Sequence, residues 1–249
     1  MKLTQYQEEF LGRNHTRALL VYSTGCFKTR TAIEWARLWG GTTLFVVPKG
    51  LKENSKRELS KWNYAADICS KEEFKLRTQK KYDNLIVDEA DHFFSAGMKS
   101  ALSKSLNTYL KKYNPRLCML TATPLRGSPW NIFIAAHFLG HRWNYRDFQT
   151  AFFQPIYMGS RLIWQPKKDE STKKRMRGAI ARIAHVVRRE DHFDIPEQVY
   201  ETLYIDEDTA QRTAKGHNKE TAAIARFTAD HRAESMNQNK FEAVERLAS

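Results

Sequence analysis

Residues 18–39 read ALLVYSTGCFKTRTAIEWARLW, and this stretch decides the fold. Ala18–Ser23 is a short apolar run ending in a turn, the pattern of a strand buried on both faces. Lys28–Trp39 places Ala32, Trp35, Ala36 and Trp39 at helical spacing. Between them, Ser23-Thr24-Gly25-Cys26-Phe27-Lys28-Thr29 forms a loop ending in Lys-Thr. Strand, loop, Lys-Thr, helix is a context in which N–H groups at a helix N-terminus face phosphates. In such a loop Lys28 reaches the β- and γ-phosphates of ATP and Thr29 Oγ1 binds Mg²⁺, while Gly25, Cys26 and Phe27 supply the backbone cradle. An ordinary strand-to-helix turn has the same outline. The glycine that normally precedes the lysine is Phe27 here, and a side chain at that point crowds the approach of backbone to phosphate. The Phe27 ring is therefore expected to turn away, onto neighbouring apolar side chains or toward the adenosine side, and to pack on the core rather than block the site.

The same alternation continues on both sides of this stretch. Thr43–Val47 is a strand stopped by Pro48, and Leu51–Trp62 a polar helix. Ala66–Cys69 is a weak strand, Asn84–Val87 a strong one, Gly97–Lys111 a Lys/Ser-rich helix and Leu117–Thr121 a strand broken by Pro124. Short apolar runs alternating with helices predict βαβ units and a parallel sheet with helices on both faces, an α/β fold. After Ser128 the pattern turns helical, over Pro129–Leu139, Tyr145–Phe153 and Lys173–Val187. Gln198–Ile205 alternates as a strand, and from Asp206 the chain is polar and helical.

Two further segments leave buried strands with reactive side chains. Leu85-Ile86-Val87 runs into Asp88-Glu89-Ala90-Asp91, placing two carboxylates at the carboxyl edge of the sheet, where open α/β folds bind ligands. There Asp88 can hold Mg²⁺ through water, and Glu89 can orient and deprotonate an attacking water. Leu120-Thr121-Ala122-Thr123-Pro124 offers two hydroxyls at the same edge. His92 and His137, with Trp130, Phe133 and Phe138, read as core fillers rather than ligands.

Together these residues carry a resemblance. The chain resembles the first RecA-like domain of superfamily-two helicases, and most closely the Swi/Snf-type DNA translocases, over about residues 3–205. Leu3, Tyr6 and Gln7 look like the adenine-recognising glutamine motif, and Asp88-Glu-Ala-Asp91 like the Walker B box. Thr121 and Thr123 lie in a segment similar to the motif that couples nucleotide state to DNA grip. Pro48, Lys49, Leu51 and Asn54 resemble the segment that contacts a DNA backbone, which places Lys49 and Lys52 at duplex DNA. Lys99 and Ser100, on the helix after the Walker B box, fall there too. Arg188-Arg189 followed by Ile195-Pro196-Glu197 resembles a late stretch of the same domain. Ser55 stands where the family usually has Trp.

The resemblance implies an ATP-hydrolysing, Mg²⁺-dependent motor with Glu89, Asp88 and Lys28 at the reaction. It also implies a second RecA-like domain, in cis or in trans, that supplies an arginine finger. Residues 206–249 then read as a helical segment leading to that domain, with Lys240–Leu247 resembling its first helix. Alone, the chain is expected to be inactive as an ATPase, a fragment or one half of a split enzyme. The alternatives are an RNA helicase domain, suggested by the literal Asp-Glu-Ala-Asp, and a nucleic-acid-binding module without ATPase activity, suggested by Phe27.

Composition agrees with a polyanionic partner. The 249 residues contain 41 Lys+Arg and 28 Asp+Glu, a net charge of +13. Lys167, Lys168, Lys173, Lys174, Arg175 and Arg177 form a further basic cluster, which a solvated helical face would equally produce. The three widely spaced cysteines suit a reducing compartment. No 18-residue apolar run exists, so no membrane span is expected, and an intracellular, nucleic-acid-associated protein is.

Overall fold

The computed structural model describes residues 2–193. The expected strand Gln198–Ile205, the Ile195-Pro196-Glu197 stretch and the helical segment 206–249 lie outside the described residues.

A first helix, α1 (Gln5–Gly12), precedes strand β1 (Arg17–Tyr22) and helix α2 (Lys28–Trp39). Strand β2 (Thr43–Val47) passes through a 3-10 turn into α3 (Lys52–Lys61), then β3 (Asp67–Ser70) and α4 (Lys71–Arg77). Strand β4 (Asn84–Val87) leads to α5 (Asp91–Ser95) and α6 (Ala101–Tyr113), and β5 (Arg116–Thr121) to α7 (Trp130–Phe138) and α8 (Tyr145–Phe152). A hairpin, β6 (Phe153–Met158) and β7 (Arg161–Pro166), is followed by α9 (Glu170–Ile183) and β8 (His185–Val187).

Six strands form one parallel sheet in the order β3-β2-β4-β5-β1-β8. Its four inner strands, β2, β4, β5 and β1, are largely apolar because both faces are covered. In β1, Leu19 and Val21 enter the core on one face, and Ala18, Leu20 and Tyr22 the core on the other. Leu44 and Val46 against Phe45 and Val47, and Leu117 and Met119 against Cys118 and Leu120, repeat the alternation in β2 and β5. Helix α2 buries Ala32, Ile33, Trp35 and Ala36 on the second face. The Trp35 indole N–H donates to the His15 carbonyl at 2.8 Å, fixing the helix against the entry to β1. All three cysteines are buried thiols.

The α/β architecture is as the sequence predicts, but α1, α4 and α5 are additional helices, the helix expected over Gly97–Lys111 runs from Ala101 to Tyr113, and further differences follow residue 150. The helix expected over Lys173–Val187 starts earlier, at Glu170, where the Asp169 carboxylate accepts from Thr172 N at 2.8 Å as N-cap. It stops at Ile183, because His185, Val186 and Val187 pair with Leu20, Val21 and Tyr22 as the outer strand. The hairpin β6–β7 was not anticipated. Phe153 begins β6 instead of ending α8, and its ring stacks on Trp130 with centroids 4.7 Å apart. Trp130 and Phe133 are partly buried against the first core, and Phe138 is fully inside it. The histidines are not core fillers. His137 is exposed, and half-buried His92 faces two cations, as described below.

Candidate functional site

A parallel sheet delivers every strand's C-terminus to one edge. The loop 23–27 after β1, Asp88-Glu89 after β4, the segment 122–128 after β5 and Pro48-Lys49 after β2 therefore share that edge.

Gly25 adopts φ +86°, a conformation that disfavours any L side chain, although a Cβ there would meet nothing within 4 Å. The loop closes on itself through Cys26 N donating to Ser23 O at 3.2 Å. Helix α2 then starts without a side-chain cap from Phe27, so its first-turn N–H groups have no intrahelical acceptor. Uncapped donors behind a glycine turn fit an anion such as a nucleotide phosphate. Lys28 and Thr29 are half-buried at this terminus. Lys28 Nζ donates to Tyr22 O at 2.9 Å, folded back onto the strand it follows.

Phe27 departs from the expectation of a core-packed ring. It is 38% exposed and its ring approaches Phe193, with centroids 6.4 Å apart. The backbone there is left-handed, at φ +53°, ψ +37°, and the ring lies beside the segment after β8.

Gln7 is fully buried. Its Oε1 accepts from Thr4 N at 3.0 Å, and its Nε2 donates to Thr31 Oγ1 at 3.0 Å. Thr31 in turn donates to Phe27 O from both its N–H and its hydroxyl, each at 3.0 Å. Gln7 is thus a tie between α1 and the first turn of α2, and contact with an adenine requires these bonds to be exchanged.

Opposite the loop, Asp88 N donates to Val46 O at 2.8 Å and Ala90 N to Leu120 O at 2.8 Å, fixing the segment between β2 and β5. Burial, reinforced by the Glu89 charge, lifts the Asp88 carboxyl to about 6, while the Lys28 ammonium acts the other way. A buried carboxylate near an ammonium at a sheet edge fits a hydrated cation: positive charge placed there restores the ionised form. Among the described residues there is no cluster of three or more His, Cys, Asp or Glu side chains that could hold a metal by itself.

Asp91 is buried and joins two of the segments. Thr121 Oγ1 donates to Asp91 Oδ1 at 3.4 Å, Arg126 Nη1 donates to Oδ2 at 2.9 Å, and Thr123 N donates to Thr121 Oγ1 at 3.0 Å. Arg126 also donates to His92 Nδ1 at 3.1 Å, and Lys71 Nζ lies 3.3 Å from the same nitrogen. Burial first, then Lys71, holds the His92 imidazole below its ordinary range, so it is neutral and accepts. The sequence reading missed Arg126. The one available signal was a basic residue just beyond Thr-Pro, opposite an acidic box.

The left-handed residues add an independent mark. Among the described residues, six non-glycine residues have positive φ: Asn14, Asn63, Asn114, Phe27, Glu89 and Arg126. Asparagine tolerates this conformation, and the other types adopt it only at a cost. Those three others lie on three of the four segments named at this edge, those after β1, β4 and β5, where backbone strain marks a candidate functional site.

The expected nucleic-acid residues divide. Lys49 and Lys99 are exposed, and Pro48 leads into the 3-10 turn. Lys52 Nζ pairs with Glu73 Oε2 at 2.9 Å. Ser100 Oγ accepts from Ser103 N at 3.1 Å as the α6 N-cap. Ser55 is buried and its hydroxyl donates to Leu51 O at 2.9 Å.

No protein-family model matches the chain, and no curated protein does. Among solved structures, the chain is similar to the helicase domain of Pyrococcus furiosus Hef. The identity is 19% and the TM-score 0.47, over 59% of this chain and 40% of that one. The chain therefore spans well under half the length of that helicase domain. At that identity and score, the fold rests on the sheet order itself. Among the described residues, no helix is long and apolar enough to cross a membrane.

Proposed function

We propose that the chain is the nucleotide-binding motor domain of an ATP-hydrolysing helicase or translocase of the Swi/Snf type, acting on the backbone of duplex DNA inside the cell. One observation carries this reading. An uncapped helix N-terminus with Lys28, a half-buried acidic pair at Asp88-Glu89 and a hydroxyl segment at Thr121–Thr123 meet at one sheet edge, each on a loop with a left-handed, non-asparagine residue.

In this reading the α2 N-terminus and the loop 24–28 bind the phosphates, and Lys28 leaves Tyr22 O to reach them. Thr29 and Asp88 hold Mg²⁺, which neutralises phosphate charge. Glu89 takes the proton of the attacking water. The Asp91–Thr121–Arg126 link carries a change at Asp88-Glu89 to the segment after β5. Lys49 and Lys99 read phosphates rather than bases, which gives little sequence specificity. The resemblance puts an arginine finger in a second RecA-like domain, and its loss costs about 10³–10⁵ in rate.

The test separates binding from turnover. On this chain alone, Lys28→Ala weakens equilibrium ATP binding and Glu89→Gln leaves it nearly intact. With the second domain supplied, Glu89→Gln lowers DNA-stimulated turnover by about 10²–10⁴. If neither variant differs from the parent in either measurement, the site assignment is wrong. If ATP binding is absent throughout while DNA binding persists, the module without ATPase activity is the better reading.

A further inference from the structure

On the nucleotide reading above, Mg²⁺ and the attacking water meet the terminal phosphate at Asp88-Glu89. In the sheet order β4-β5-β1-β8 that acidic pair follows β4, on one side of the loop 23–27. With the terminal phosphate toward β4, the ribose and base extend to the other side of the loop, toward α1 and β8.

The chain's own rings fill that side. After β8 the backbone makes a turn over residues 188–193, closed by His192 N and Phe193 N donating to Arg189 O at 3.2 and 3.0 Å. The His192 ring centroid lies 4.8 Å from that of Tyr6, and the Phe193 centroid 6.4 Å from that of Phe27. Phe193 also packs against the second core, which contains Tyr6 and Cys26. The Tyr6 hydroxyl donates to Cys26 O at 3.4 Å, joining α1 to the loop. Burial raises the Cys26 thiol, Lys28 and Arg189 oppose this and Glu190 adds to it, so charges carried by the turn are felt inside the loop. The corner is sealed: Tyr6 is 4% exposed, and Gln7 and Cys26 are both 0%. The phosphate end is not, because Thr24 and Gly25 are exposed and Lys28 and Thr29 half-buried. Among the described residues, no ion pair and no side-chain hydrogen bond fastens the turn to its surroundings. Ring contacts hold it, and lifting it off Tyr6 and Phe27 leaves no buried donor or acceptor of the turn without a partner.

We infer that the turn 188–193 is an autoinhibitory cover: the His192 and Phe193 rings occupy the base end of the nucleotide site, and ATP binds to molecules in which the turn has lifted away. The inference rests on the nucleotide reading and adds regulation to that same site. The cover also accounts for the internal bonds of Gln7, which turn an expected base contact into a tie within the closed corner.

The test compares ATP with inorganic triphosphate, which carries the same phosphates and no base. Equilibrium binding of each, with Mg²⁺, is measured on the full chain for the parent, His192→Ala and Phe193→Ala, alongside thermal melting. An open form at about 1–10% of molecules lowers apparent ATP affinity about 10- to 100-fold, and Phe193→Ala recovers most of that factor. Triphosphate binds parent and variants alike. Phe193→Tyr, which keeps the ring, matches the parent for both ligands. His192 is exposed, so His192→Ala keeps the fold and tightens ATP even where Phe193→Ala lowers the melting temperature. In the absence of ligand, a maleimide labels Cys26, located by peptide mass spectrometry, faster in both alanine variants than in the parent. Weaker ATP binding in the variants would make the two rings part of the base site and overturn the cover. Equal tightening of ATP and triphosphate would overturn its placement at the base end. A parent that binds ATP, with variants that bind it no tighter, overturns this proposal alone. If neither parent nor variants bind ATP or triphosphate, the nucleotide reading falls with it.

Discussion

Replacing Phe27 by glycine and, separately, by alanine isolates the backbone at this position from the ring above it. Both variants delete the ring, with its contact to Phe193, so that loss cancels in their difference. What remains is the cost of holding an L residue at φ +53°, ψ +37°, about 1–2 kcal/mol that glycine does not incur. Glycine's greater freedom in the unfolded chain returns part of this advantage, leaving Phe27→Gly more stable than Phe27→Ala by about 1 kcal/mol. For a domain of this size that separates the two melting temperatures by about 2–4 °C. A fully buried phenylalanine truncated to alanine would cost about 3–5 kcal/mol. A ring 38% exposed costs less, so both variants fold. The assay is thermal denaturation by circular dichroism, paired with equilibrium ATP binding. Because the ring lies toward Phe193 and off the core, Phe27→Gly keeps or tightens ATP binding. If alanine is as stable as glycine, the left-handed backbone is not the operative cost and the reasoning fails.

Other expectations follow from the same edge. Burial makes native Asp88 hold its proton more tightly than the unfolded chain does, with its carboxyl at about 6. Its contribution to stability is complete below about pH 4 and is lost as pH rises through about 6, some 2–3 kcal/mol in all. Asp88→Asn therefore gains on the parent in urea midpoint from pH 5 to 8, and parallel curves would refute this. Arg126→Ala strips the half-exposed cation from Asp91, whose side chain is only 4% exposed, and destabilises by about 1–3 kcal/mol. Asp91→Asn in the same background should recover much of that loss, and no change in either variant would remove the link. Lys49→Glu weakens DNA binding on all sequences alike and lowers the slope of log affinity against log salt by about 1. Lys52→Glu also places a carboxylate beside Glu73, so its effect on binding cannot be read apart from its effect on melting.

The sheet was legible because burial on both faces leaves an unbroken apolar run. Thr43–Val47 and Asn84–Val87 are the observed strands to the residue, and Lys28–Trp39 the observed helix. Three-residue β8 was not legible, since nothing in Ala-His-Val-Val distinguishes the end of a helix from a strand until Leu20–Tyr22 is beside it. The hairpin escaped because a strand pair in solvent has no periodic burial to write into the sequence, and Pro155 argues against a strand. Helix α4 was legible and passed over: Ser70-Lys71-Glu72-Glu73 forms a capping box, with Ser70 N donating to Glu73 Oε2 at 2.9 Å. At the candidate site, the residue types at 28, 29, 88 and 89 could be read directly. The Gln7 bonds and the Asp91–Arg126 pair could not, because each joins positions that only the fold brings together.

The outer strand β8 also has a mechanical consequence. It holds to the sheet through three residues alongside Leu20–Tyr22, plus Ser23 N donating to Val187 O at 3.0 Å. Being parallel to β1, it releases the chain at the same edge as the loop 23–27, one hydrogen bond from the loop's first residue. Tension on the chain beyond Val187 is therefore borne first at Ser23, and so short an edge strand yields before the inner strands do. The chain after β8 is a tether fastened at the mouth of the loop, so that load on one is felt by the other without any side chain as intermediary.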